Sequence, residues 1–121
     1  MTAPRNHKGF RRLYNALIYS FHGGAACFRT EEAFRQELVL SVVLVPLGFW
    51  LGSTMTEKLL LAGSILFVLI VELLNTAIER AIDRISFEKH ELSKESKDMG
   101  SAAVLFSLAL CGMTWVGILL F

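Results

Sequence analysis

Phe10, Leu13, Tyr14, Leu17, Ile18 and Phe21 recur at the spacing of a single helix face, with Arg11, Arg12 and Asn15 lying off it. This pattern predicts an amphipathic helix over about 8–28 that lies in a membrane interface, aromatics on one side and basic residues on the other. The residues before it are polar, include Pro4, and read as a frayed terminus. Gly23-Gly24 predicts a bend after that helix. Thr30, followed by Glu31 and Glu32, then reads as a new helix start, with a hydroxyl to cap and two acids to oppose the positive dipole end.

Three long apolar stretches follow. The first, a span of about 31–52, is broken only by Ser41, Pro46 and Gly48 after Leu38, and a proline kink is tolerable inside a bundle. Gly52-Ser53-Thr54 makes a short turn into a second span of about 57–84. The third covers about 98–121 and carries Gly100, Ala103, Ser107, Cys111 and Thr114 down one face, small residues that allow close helix contact in lipid. Trp50 and Trp115 read as interface anchors. The expected architecture is an all-α membrane protein, one domain over 1–121, with three transmembrane helices and a surface helix.

Composition agrees. The 121 residues are 54% hydrophobic, and the mean hydropathy is +0.52. A soluble protein of this size has too little interior to hide so much apolar surface. The net charge of +1 gives no electrostatic case for a nucleic-acid partner. Cys27 and Cys111 lack metal-like spacing and read as small packing residues. The basic N-terminal segment is not followed by an apolar core long enough for a signal peptide before Glu31. Of the 12 Lys and Arg residues, only Lys58 falls in the turn between the first two spans. The positive-inside rule therefore expects the N-terminus and second loop in the cytoplasm and the C-terminus outside.

One stretch breaks the apolar pattern. The second span continues without a helix breaker into Glu72, Asn75, Glu79 and Asp83, which fall on a stripe roughly 80° wide. An acid at the mouth of a span costs several kcal/mol unless it faces protein or water. Glu31 and Glu32, the stripe, and Asp98 beside Lys97 converge on one membrane boundary. Carboxylates there suit Mg²⁺, a hard cation that commonly bridges to phosphate. Glu88, Lys89, His90, Glu91 and Lys97 offer charge for a nucleotide, and Glu72, deepest in the apolar run, suits a general base. The alternative reading of the stripe is an inter-helix network of the same acids with Arg80 and Arg84, or a trimer-stabilising polar seam. No P-loop, GxGxxG or protein-kinase motif is present, so any phosphoryl transfer must use a site built from helices.

The segments VELLNTAIERAIDR and EKHELSKESKDMGSAAVL, with EEAFRQE before the first span, closely resemble the signature of the prokaryotic diacylglycerol kinase family. The resemblance covers nearly the whole chain. It departs at Ala25, where the family pattern has a basic residue, and at Glu32, an added acid. The resemblance implies a homotrimeric bundle in the bacterial inner membrane that uses Mg-ATP to phosphorylate the hydroxyl of 1,2-diacylglycerol and feeds phospholipid recycling. Carried over, Glu72 is the catalytic base, Asn75 orients it or the phosphoryl group, and Asp83 supports the site. Glu31 and Glu79 hold the metal. Arg12, Tyr19, Glu31, Glu79, Glu88, Lys89, His90, Lys97 and Asp98 contact ATP. Arg12, Ser20, Phe34, Arg35, Gln36, Glu37, Glu72 and Ser101 flank the lipid. Undecaprenol kinase, a close relative, is the alternative activity. A non-catalytic membrane subunit or ion-conducting oligomer is the alternative of another class.

Overall fold

The computed structural model describes residues 9–85 and 90–121. The expected fraying of the terminus and the ATP contacts expected of Glu88 and Lys89 fall outside the described residues. Four helices account for nearly all the rest: α1 Phe10–Thr30, α2 Glu32–Leu51, α3 Met55–Ile85 and α4 Glu91–Leu120. No strand occurs among the described residues. The last three are long and apolar enough to cross a membrane. The chain is thus an all-α membrane protein with three spans and an amphipathic first helix.

Two expectations about the first half need correction. Gly23-Gly24 does not bend the chain, because α1 runs straight through it. A Cβ at either glycine would meet nothing within 4 Å, so neither is there to admit a neighbour. The break falls instead at Glu31, which is extended (φ −115°, ψ 108°). Thr30 is the last residue of α1, and its hydroxyl bonds back to Ala26 O at 2.9 Å rather than capping α2. The carbonyls left free at the end of α1 are met from α2. The Arg35 guanidinium donates to Phe28 O at 2.9 Å, and its carbon lies 5.8 Å from the Phe28 ring centroid.

The far turn is tightly determined. Thr54 Oγ1 accepts from Glu57 N–H at 3.2 Å while Glu57 Oε1 accepts from Ser53 N–H at 2.9 Å, a reciprocal cap at the start of α3. Lys58 donates through Nζ to Phe49 O and Gly52 O, closing the C-terminus of α2. The single basic residue of that turn therefore has a structural use. A Cβ on Gly48 would lie 3.0 Å from Leu61 Cβ and 3.2 Å from Ala62 N, so glycine lets α2 cross α3 closely.

The central helix is α3, which packs against both α2 and α4. Its buried residues Leu61, Ser64, Val68, Glu72 and Thr76 recur every three or four positions along the inward face. At 31 residues it is about 46 Å long, well beyond a ~30 Å hydrocarbon core. One end must therefore emerge, and the end beyond Glu72 carries the charged residues. On α4, Gly100 and Ser107 are buried, as a close-packing small-residue face requires. Trp115 is not simply an anchor: its indole N–H reaches Leu61 O and Ser64 Oγ, each at 3.1 Å, and ties α4 to α3. Trp50 is 78% exposed.

Candidate functional site

The stripe lies on one unbroken helix, as its lack of a breaker predicts, and the neighbouring helices meet it at successive depths. Glu72 is deepest, only 8% exposed. Across the α2–α3 interface the Glu37 carboxyl lies against it. Glu37 Oε2 is itself buried and has no hydrogen-bond partner. Two carboxyls in contact repel if both are charged, so the pair calls for a proton or a cation between them. Glu31 and Glu79 are the next charges that Glu72 feels.

One turn further along, Asn75 Oδ1 is buried and also unpartnered. Its carboxamide lies against Gly100 of α4, where an added Cβ would come within 2.2 Å of Oδ1. Glycine at 100 is what makes room for Asn75. Asp83 accepts a 2.6 Å ion pair from Lys97 that joins the emerging ends of α3 and α4. Lys94 and Asp98 pair at 2.7 Å along the exposed face of α4. His90 is the N-cap of α4, its Nδ1 accepting from Leu92 N–H at 3.1 Å. Thus Lys97 and Asp98 stand at the same end as the stripe, His90 begins the helix that carries them, and Ser101 is exposed one residue past Gly100.

The corner between α1 and α2 packs on this end of α3. Cys27, Phe34 and Leu69 form its apolar core, with Leu38 and Leu73 against them. Burial pushes the Cys27 thiol up from its ordinary range, partly offset by a hydrogen bond with Thr76. Such a thiol is protonated and inert at neutral pH. Beside this core an open groove of about 630 Å³ runs between α1 and α2, lined by Leu17, Phe21, Ala25, Phe28, Phe34 and Leu38, with Ser20 and Arg29 also on its wall. Its apolar walls match an acyl chain better than a polar ligand. Ser20 and Phe34 are both on its wall, although Phe34 is only 4% exposed and belongs equally to the core. Arg35 is engaged at the end of α1, and Gln36 Nε2 lies 3.4 Å from Glu32 Oε1 on the exposed side. Arg12 and Tyr19 are exposed on α1.

Neither Arg80 nor Arg84 forms an ion pair with an acid of the stripe among the described residues. Arg80 instead donates to Thr30 Oγ1. Of inter-helix bridges from the stripe, Asp83–Lys97 is present, while none to Arg80 or Arg84 occurs among the described residues. Among the described residues, no three His, Cys, Asp or Glu side chains converge to hold a metal ion by themselves. Two carboxylates completed by phosphate oxygens and water are the usual donor set of Mg²⁺, and Glu31 and Glu79, both within electrostatic reach of Glu72, are carboxylates that would fit such a set. Sequence reasoning placed Glu37 against lipid and overlooked its contact with Glu72; it also overlooked Thr76, although Thr76 lies one turn from Glu72 on the same buried face.

Comparison with known proteins closes the question of family. The family described as prokaryotic diacylglycerol kinase matches residues 18–119. A diacylglycerol kinase of Pseudomonas aeruginosa is 48% identical over 96% of this chain and 94% of its own. The diacylglycerol kinase of Haemophilus influenzae is 46% identical over 93% and 96%, and that of Escherichia coli K12 is 46% identical over 91% and 90%. With a buried acid, two unpartnered acceptors and an apolar groove at one end of a three-span bundle, this chain belongs to the prokaryotic diacylglycerol kinase family.

Proposed function

We propose that this protein transfers the γ-phosphoryl group of ATP to the free hydroxyl of 1,2-diacylglycerol, giving phosphatidic acid at the cytoplasmic boundary of the bacterial inner membrane. The observation that carries the reading is the depth order on α3: a buried Glu72 flanked by the orphaned acceptors Glu37 Oε2 and Asn75 Oδ1, with Glu79 and Asp83 toward the emerging end. A lipid hydroxyl arrives from the apolar side and brings the missing donor. A nucleotide arrives from water, where the cations are.

In this reading Glu72 accepts the hydroxyl proton as the lipid oxygen attacks phosphorus, and the bond to the ADP oxygen breaks in line. Asn75 orients the carboxylate or the transferred group from its slot against Gly100. Lys97, held by Asp83, stands where phosphate charge develops. Glu31 and Glu79 would hold Mg²⁺, which neutralises phosphate charge when bound. The groove between α1 and α2 would take an acyl chain, with Ser20 at its wall. A homotrimer, in which another protomer covers the exposed apolar faces of the spans, completes the assignment, with the N-terminus cytoplasmic and the C-terminus outside as the distribution of Lys and Arg supports.

Phosphate transfer from Mg-ATP in mixed micelles, with diacylglycerol and undecaprenol compared side by side, tests the reading. Faster transfer to diacylglycerol is expected. A preference for the polyprenol would move the substrate assignment, and no transfer to either alcohol would remove the kinase reading in favour of a non-catalytic subunit.

A further inference from the structure

We propose that Arg80 is a positioning residue for phosphotransfer, acting through Thr30 to pin the α1–α2 corner to α3 and so hold Glu31 on the side of Glu79. The inference rests on the assignment of Glu31 and Glu79 to the metal–nucleotide end of the site. Arg80 follows Glu79 directly on α3, and its guanidinium donates to Thr30 Oγ1. That same oxygen donates its own proton to Ala26 O at 2.9 Å. A hydroxyl is the side-chain group that can do both at once.

Glu31 is the single residue between the two helices. Its N–H reaches back to Cys27 O at 2.8 Å, and its C=O accepts from Arg35 N–H at 3.0 Å. Wherever the corner goes, Glu31 goes with it. The contact of α1 with α3 is much smaller than that of α2 or α4 with α3, so the corner depends on few ties. Cys27 lies directly beneath it, 3% exposed, bonded to Thr76 and within electrostatic reach of Glu31, Arg80 and Glu72. Its thiol can be reached only when the corner lifts, which makes Cys27 an internal reporter of docking.

Maleimide labelling of Cys27 is measured in membranes without Mg²⁺ or ATP, in a Cys111→Ala background. Arg80→Gln and Thr30→Val should each label roughly tenfold faster than the parent, equivalent to about 1.4 kcal/mol, the scale of a hydrogen bond to a charged group. The double variant should label no faster than either single one, since both remove the same bond. Thr30→Ser should label as the parent does. The Mg²⁺ concentration giving half-maximal phosphate transfer should rise by roughly tenfold in Arg80→Gln. Parent-like labelling in both single variants, additive effects in the double, or an unchanged Mg²⁺ requirement each overturns the proposal. Should Arg80→Gln fail to fold, Thr30→Val decides the same points. A parent that transfers no phosphate overturns the roles of Glu31 and Glu79, and labelling then decides the corner contact alone.

Discussion

At the far end of the α3–α4 interface, Ser64 Oγ donates to Leu61 O at 2.8 Å and receives the Trp115 indole N–H at 3.1 Å. At the near end Glu72 is buried, and the half-buried Asn75 and, across the α2–α3 interface, the half-buried Glu37 each bury an acceptor, Oδ1 and Oε2, that has no donor. Both ends place polar groups inside an apolar bundle. The far end satisfies them with its own side chains, as interior groups ordinarily are. The near end leaves acceptors open, a cost of about 1–3 kcal/mol for each. Polar groups that complete one another hold helices together, whereas those left waiting for a donor mark where a ligand belongs.

The contrast breaks most sharply at Glu72. Replacing it with glutamine keeps the shape and removes the base, and turnover should fall roughly 10²–10⁴-fold with the thermal midpoint of the purified protein preserved. A smaller loss should follow Gly100→Ala. Its new Cβ would collide with Asn75 Oδ1, and a displacement of this size costs on the order of 10²-fold in rate. Asn75→Ala in the same background should recover none of it, since the displaced group is the one that matters. At the far end the sign reverses: Trp115→Phe should cost about 1–2 kcal/mol of stability and leave turnover per folded protein unchanged. Were Trp115→Phe to reduce turnover as Gly100→Ala does, the division into a structural and a functional end would not hold.

Much of this division could be read along the chain. Helical spacing and hydropathy placed the three spans and the surface helix, because bilayer thickness leaves few alternatives for stretches this apolar. The stripe of Glu72, Asn75, Glu79 and Asp83 was visible because α3 has no breaker between its apolar and charged halves. What escaped was set by contacts distant in sequence. Thr30 looks like a cap for the helix that follows it, but Arg80, fifty residues on, meets its hydroxyl at the end of the preceding one. Gly23-Gly24 looks like a bend, yet local propensity yields to a helix that continues on both sides. The bond of the Arg35 guanidinium to Phe28 O depends on how the α1–α2 corner turns, which no local pattern announces. The partnership of Glu37 with Glu72 depends on how α2 crosses α3, which Gly48 permits and no local pattern announces.

In the proposed function depth divides the roles: Glu72 would serve the lipid hydroxyl, and Glu79, two turns nearer water, the nucleotide and its metal. Steady-state kinetics of Glu72→Gln and Glu79→Gln against Mg-ATP concentration test this most directly. Glu72→Gln should lower the maximal rate with the half-saturating Mg-ATP concentration close to the parent's. Glu79→Gln should raise that concentration roughly tenfold or more, the loss of one charged contact. The reverse assignment, or the same defect in both variants, would contradict the division of the stripe between its two substrates.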